Sequence, residues 1–365
     1  MNIRSDDRVV LTLDAGGTNF IFSAIRGGVE VVEPIRRPAI TNNLEQCMNS
    51  LIKGLHQVQE RIGKPSSAIS FAFPGPANYP KGIIGDLPNF PCFKGGVPMK
   101  SILENEFKQP VFINNDGDLF AYGEAVDGFL PNVNKILKEK GCKKEYKNLL
   151  GVTLGTGFGI GLSLNGELFI GDNSSGSEVW CTSSRHIPYN VEEGVSVRSI
   201  KRVYSQLTAK PYANSPEPKE IYDIAQGRAK GNQQAAREAF ISLGRILGDT
   251  LANIMTFLDG GLAVISGGIS GANNIIIPAM LREMNATYTN YKGEIIPRLN
   301  QKVYFLNDKL QMENFAKAEV HKIKIPNSKE TITYDPISKI GIGLSKIGAS
   351  KSISLGAYAF ALKNM

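Results

Sequence analysis

The sequence predicts a two-lobe α/β fold with a mixed sheet flanked by helices in each lobe. Three observations point to it. An apolar run at residues 9–13 ends in Asp14-Ala15-Gly16-Gly17-Thr18, and a second at residues 150–154 ends in Gly155-Thr156-Gly157-Phe158-Gly159. A further apolar segment follows each turn, as in a hairpin, so the chain opens the same unit twice. The length of 365 residues is enough for two domains of ordinary size.

The elements follow in order. Residues 9–13 read as a buried strand, 14–18 as its turn and 20–25 as the returning strand. Residues 44–62 carry Leu44, Met48, Leu51, Leu55, Val58 and Ile62 at helical spacing. Residues 68–73 are a strand closed by Pro74-Gly75-Pro76. Residues 111–113 are a strand ending at Asn114-Asn115-Asp116, and 119–126 have helical character. The pattern restarts near Leu149, with a strand at 150–154 and a hairpin at 160–164 and 168–170. Residues 198–207 and 235–257 read as helices. A strand at 262–265 ends at Ser266-Gly267-Gly268, before a helix at 273–283. Between Tyr288 and Lys351 the chain is polar and irregular, too long for a loop, and reads as extra strands or a peripheral insertion. Residues 354–362 close the chain as an apolar helix.

Composition narrows the class. Apolar residues make up 42% and charged residues 21%, as in a soluble globular enzyme. The net charge of +7 is scattered, and the densest basic run, 138–147, contains Glu139 and Glu145. That is a solvated helix and loop rather than a nucleic-acid surface. Cys47, Cys92, Cys142 and Cys181 form no C-x-x-C pair, which disfavours a zinc ribbon or a disulfide framework. The N-terminus has no apolar signal core of about 7–15 residues. No run reaches the ~18 apolar residues of a membrane span. A cytoplasmic protein with no nucleic-acid or membrane partner is the expectation.

The glycine turns carry the chemistry. In the first, Gly16 and Gly17 let backbone N–H groups approach phosphate oxygens and Thr18 adds a hydroxyl. Asp14 is suited to Mg²⁺, through water, because that ion keeps much of its hydration. A tight hairpin turn with a capping Asp is the competing reading. No Lys follows these glycines, so this is not a P-loop. In the second turn Gly155, Thr156 and Gly157 would form the opposite wall. Gly267 and Gly268 would let an adenine ring or ribose lie against the backbone, or would serve helix–strand packing alone. Asp116 ends a strand and begins a helix. It is placed either to accept a substrate hydroxyl proton or simply to cap the helix. Glu178 and Glu192 are acceptors for sugar hydroxyls or ordinary surface carboxylates. His186 reads as structural and Trp180 as core.

Taken together, these residues resemble the ROK (repressor, open reading frame, kinase) family of the actin-like ATPase (ribonuclease H-like) superfamily, over about residues 9–270 and again at Leu355-Gly356-Ala357. The resemblance implies residues 1–115 as an N-terminal lobe joined by a closing helix at 354–365. It implies 116–353 as a C-terminal lobe, with the insertion at about 288–351. Residues 13–18 look like the first phosphate motif, 155–159 like the second, and Leu258-Asp259 with 265–270 like the adenosine motif. Asn89, Asn115, Glu178 and Glu192 are similar to sugar ligands, and Asp116 to the general base. The implied activity is transfer of the γ-phosphate of Mg-ATP to a hexose or N-acetylhexosamine. The alternative is a regulatory protein that binds sugar without catalysis. Family members are often dimers or tetramers.

Three departures stand out. Glu178-Val179-Trp180-Cys181 replaces the family's E-x-G-H, and the zinc-binding cysteine run is missing, so no structural zinc is expected. Asp118 stands where many members have Asn. ROK repressors place a helix-turn-helix of roughly 60 residues or more first; with the first strand near Val9, none is expected here.

Overall fold

The computed structural model describes residues 2–15, 19–75, 77–87 and 90–365. Strand β1 (Val10–Ala15) pairs antiparallel with β2 (Asn19–Arg26), and β3 (Val29–Glu30) and β4 (Ile35–Pro38) both pair with β2. Helix α1 (Leu44–Ile62) starts where the Asn43 side chain accepts the Gln46 N–H, and it stops at Gly63. Its buried stripe of Cys47, Leu51, Leu55 and Val58 packs in one core with Leu11, Phe20 and Phe22. Strand β5 (Ala68–Ala72) joins β1 in parallel. A small antiparallel sheet follows, made of β6 (Ala77–Asn78), β7 (Ile83–Ile84) and β8 (Val97–Pro98). After α2 (Met99–Phe107), β9 (Val111–Asn114) adds to β5 in parallel. The first sheet thus runs β3-β2-β1-β5-β9, with β4 also on β2.

Helices α3 (Asp116–Asp127) and α4 (Phe129–Glu139) lead to the second sheet. There β10 (Leu149–Leu154), β11 (Phe158–Leu164) and β12 (Glu167–Phe169) form an antiparallel meander. Then come the hairpin β13 (Ser183–Ser184) and β14 (Ile187–Asn190), and helices α5 (Glu192–Val195), α6 (Val197–Leu207), α7 (Pro218–Ala225) and α8 (Gln233–Leu258). Strand β15 (Leu262–Ser266) lies parallel to β10 and is followed by α9 (Asn273–Met284). The rest comprises β16 (Thr287–Thr289), β17 (Ile295–Pro297), β18 (Lys302–Phe305), α10 (Lys309–Ala316), β19 (His321–Lys324), β20 (Thr331–Tyr334), β21 (Lys339–Leu344) and α11 (Ala349–Asn364).

The stretch expected as a peripheral insertion is not all peripheral. β18 and β21 complete the second sheet in the order β12-β11-β10-β15-β21-β18. Ile340 and Ile342 are fully buried there. The exposed hairpins β16–β17 and β19–β20 stand outside it. The closing helix begins at Ala349, five residues before the expected start.

Helices α3 and α11 lie between the sheets. Helix α3 packs on β10 and β11, and α11, leaving the second sheet after β21, packs on β1, β5 and β9. They meet backbone to backbone. A Cβ on Gly123 would lie 1.9 Å from the Ser352 carbonyl oxygen, and one on Gly356 would lie 2.0 Å from that of Leu119. Beside the crossing, buried Glu124 accepts the Phe129 N–H at 2.7 Å and the hydroxyls of Ser345 and Ser352 at 2.5 and 2.7 Å. One carboxylate therefore ties α3 to both ends of the connection from β21 into α11. Near the start of α11 a cavity of about 350 Å³ remains against β1 and β2, lined in part by Thr12, Ser23, Lys351 and Leu355. Among the described residues no helix is long and apolar enough to cross a membrane.

Candidate active site

Parallel strands bring distant residues to one edge. Asp14 on β1 is level with Ala72 on β5, which is level with Asn114 on β9. The chain leaving β9, Asn115-Asp116, therefore emerges beside Asp14. In the second sheet Thr153 on β10 is level with Ser266 on β15, so the 155–157 turn and Gly267 are also neighbours. Gly267 has φ 100, and a Cβ there would lie 2.2 Å from the Leu154 carbonyl oxygen. Only glycine fits this bend without strain.

Asn115 caps α3, its Oδ1 accepting the Gly117 N–H at 2.8 Å, while its Nδ2 lies 3.4 Å from the Tyr79 hydroxyl. Asp116 Oδ1 also accepts the Gly117 N–H at 2.8 Å. Asp116 is open to solvent through the cleft, yet protein surrounds its carboxyl. That lost hydration raises its pKa, against the lowering effect of the Gly117 bond. Asp14 is half-buried, and its pKa is raised by burial and then by the charge of Asp116. Asp118 is 5% exposed, and burial, Glu178 and Asp116 push its carboxyl up to about 8. Burial raises Glu178 as well. Its bond from the Trp180 indole N–H pulls the other way, and Asp116 and Glu192 add to the rise. Four carboxylates thus share one poorly hydrated cleft, and among the described residues no cation figures in the shift of any of them.

The turn after β10 is held from outside. Glu192 Oε2 accepts the Phe158 N–H at 3.1 Å. Arg198 bonds Glu192 at 2.5 Å and Glu193 at 2.9 Å, and reaches the Thr156 carbonyl at 3.3 Å. Thr156 itself is exposed. It opens with Gly155 and Gly268 onto a cavity of about 590 Å³, walled by Ile200, Tyr222 and Phe240 with Lys219 at its side. An apolar slot leading to a glycine turn can take a flat base at one end and phosphates at the other.

The sequence-predicted residues are placed as follows. Asp14, Asp116 and Glu178 come together in the cleft, while Gly155, Thr156 and Gly268 line the cavity, with Gly157 in the same turn and Gly267 beside it. Asn115 borders the cleft but spends its oxygen on the helix cap. Glu192 is held by a backbone N–H and an arginine instead of standing free. Gly16, Gly17, Thr18 and Asn89 lie outside the described residues. Leu258 and Asp259 are not at the cavity: Asp259 caps α8 and accepts a bond from Gln301 at 3.0 Å. Trp180, expected in the core, is 37% exposed and bonds Glu178. His186 lies within reach of Asp249 and Glu283 as a set of metal-capable groups. Those two carboxylates are paired with Arg298 and Arg185.

Sequence reasoning missed Arg198, Lys219 and Tyr222, because nothing in their local pattern marks a ligand. For Asp118 there was a signal, its position two residues beyond Asp116 on a helix start.

Known proteins share this architecture. The ROK family pattern matches residues 10–302. A glucokinase from Parabacteroides distasonis, solved by crystallography, is 49% identical, with TM-score 0.90 and coverage of 100% of both chains. An N-acetyl-D-glucosamine kinase of Vibrio parahaemolyticus is 27% identical over 277 residues, 70% of this chain and 83% of that protein. A glucokinase of Thermotoga maritima is 24% identical over 302 residues, 76% of this chain and 87% of that one. With the family pattern spanning most of its length and two strand–turn–hairpin lobes of the actin-like ATPase fold, this chain belongs to the ROK family.

Proposed function

We propose that the protein is a sugar kinase that transfers the γ-phosphate of ATP to a hydroxyl of a hexose or N-acetylhexosamine. The observation that carries this reading is Asp116, open to the cleft at the start of α3 and raised in pKa where the two lobes meet. A raised carboxylate is a better proton acceptor for an attacking hydroxyl than an ordinary surface Asp. The exposed Thr156 hydroxyl and the backbone N–H groups of its turn would stabilise charge on the transferring group. Glu178, and Glu192 once its bonds rearrange, would hold sugar hydroxyls. The likeness to a glucokinase at 49% identity and to an N-acetyl-D-glucosamine kinase supports the substrate class.

The donor set suits Mg²⁺. Asp14 is a hard oxygen ligand whose charge is disfavoured by burial and by Asp116, and a divalent cation would relieve both. When bound there, Mg²⁺ would neutralise phosphate charge. No structural zinc belongs to this reading, since Arg185 and Arg298 already pair with Asp249 and Glu283.

The test is coupled ADP release with Mg-ATP against glucose, mannose, fructose, allose, N-acetylglucosamine and N-acetylmannosamine. Asp116→Asn should lower turnover about 10²–10⁴-fold with sugar affinity roughly kept. In the wild type, turnover should rise with pH through the raised Asp116 pKa, because the base works only when deprotonated. Equal turnover in the variant removes the general-base role. Sugar binding without ADP release across the panel favours the non-catalytic, regulatory reading.

A further inference from the structure

Arg198 occupies an unusual position. It is the second residue of α6, its side chain is 40% exposed, and its three nitrogens reach three acceptors around the 155–157 turn. Val197, before it, donates its N–H to the Gly155 carbonyl at 3.0 Å and lines the 590 Å³ cavity. The guanidinium therefore stands at the rim of the cavity proposed for the nucleotide.

Its main partner, Glu192, has two oxygens in different roles. Oε2 is fixed on the Phe158 N–H, and Oε1 is taken by Arg198. Glu192 also faces Glu178, whose ionisation its charge opposes. A sugar held by Glu178 is thus close to a carboxylate whose second oxygen is already engaged.

A nucleotide adds further negative charge to a cleft that already holds Asp14, Asp116, Asp118 and Glu178. A guanidinium fork fits a phosphate as well as a carboxylate. Phosphate at Thr156 would therefore compete with Glu192 and Glu193 for Arg198.

We propose that Arg198 is a coupling residue, exchanged between Glu192 and the nucleotide phosphate, so that nucleotide binding frees Glu192 Oε1 to accept a sugar hydroxyl. This inference rests on the kinase reading. Oε2 keeps its backbone bond, so the freed carboxylate stays in place instead of swinging into solvent. The consequence is positive coupling: each ligand tightens the other by the same factor.

The experiment is a binding cycle. Quenching of Trp180, the single tryptophan and a partner of Glu178, reports sugar binding. Affinity for the most active sugar of the panel is measured with and without Mg²⁺ and the β,γ-imido analogue of ATP. For a panel silent in turnover, N-acetylglucosamine is used. Calorimetry replaces fluorescence if the quench is small. The wild type should bind sugar about tenfold more tightly with the analogue, within the usual 5–150-fold range of coupling. In Arg198→Ala the factor should fall towards one, with sugar affinity in the absence of nucleotide at least that of the wild type. Arg198→Lys should keep part of the coupling, and it serves as the readout if the alanine variant does not fold. A purely structural role would weaken sugar binding in both states and leave the factor unchanged. That result, or a wild type without coupling, overturns the proposal. Coupling that disappears in Arg198→Ala without any phosphorylation would overturn the kinase reading and leave the exchange standing. Active phosphorylation with coupling untouched by the substitution would do the reverse.

Discussion

Strands β1 and β10 are the same device built twice. Each is six residues long, pairs antiparallel with the next strand and parallel with a later one, and buries every residue but the fifth, which is half-buried. The fifth residue is Asp14 in the first lobe and Thr153 in the second. The third is Thr12 in the first and Gly151 in the second. The matching position thus carries a carboxylate in the first lobe and, in the second, a hydroxyl that donates to the Gly159 carbonyl at 3.4 Å. The helices differ too. A Cβ on Gly151 would lie 2.7 Å from Ala121, so α3 sits flush on the second sheet. Against Thr12 and Ser23 the first sheet keeps its 350 Å³ cavity beside α11. The two lobes share this strand arrangement, and the residues at its third and fifth positions differ.

The comparison can be broken at its fifth position. Asp14→Asn should lower turnover about a hundredfold, some 2.7 kcal/mol of transition-state stabilisation, and should raise the Mg²⁺ concentration needed for half-maximal rate. Thr153→Val, at the matching site, should change turnover at most a few-fold. Steady-state kinetics over a Mg²⁺ series checks both, and comparable losses would mean that the two lobes are not specialised as described.

The third position gives a smaller effect. Gly151→Val forces a branched side chain into Ala121 and should cost about 1–3 kcal/mol of stability, as overpacking does. In the first lobe, Ser23→Ala removes a buried hydroxyl with no hydrogen-bond partner among the described residues and should be neutral or slightly stabilising. Urea midpoints decide the matter.

The gentlest probe is pH. Burial and the neighbouring carboxylates push Asp118 up to about 8 from the ordinary 3.8. Between those values the native state holds a proton that the unfolded chain has released. Its contribution to stability is therefore greatest at low pH and falls as pH rises towards 8. Asp118→Asn should flatten that slope, and unfolding midpoints at about pH 5 and 8 would reveal an unchanged slope if the assignment is wrong.

Much of this was legible in the sequence, for identifiable reasons. Strands β1, β5, β10 and β15 are apolar runs stopped by Gly or Pro, and a buried parallel strand leaves that signature. The long helices α1 and α8 showed their apolar spacing, with Asn43 and Asn232 as caps. By contrast β18 and β21 are set among polar segments, and Lys302 and Lys339 at their starts disguise them. In the site, the residues carried by glycine turns or strand ends were visible, since backbone geometry dictates them. Trp180 was read as core and Arg198 was passed over, because a linear pattern does not show that their side chains turn back onto Glu178 and Glu192. Glu192 was seen as a ligand, but its prior engagement depends on Phe158 and Arg198, which a linear pattern does not pair with it.

The glycine crossing of α3 and α11 bears on how closely the lobes are joined. At Gly123 and Gly356 the helices touch main chain to main chain, with Tyr122 packed edge-on against Phe360 beside the contact. Sliding α11 along its axis would drive Leu355 or Ala357 towards the Leu119 carbonyl, and sliding α3 would drive Tyr122 or Glu124 towards that of Ser352. The crossing is therefore keyed against translation, and Glu124 latches it through the hydroxyls of Ser345 and Ser352. A single methyl group on Gly123 or Gly356 would force the two helices apart.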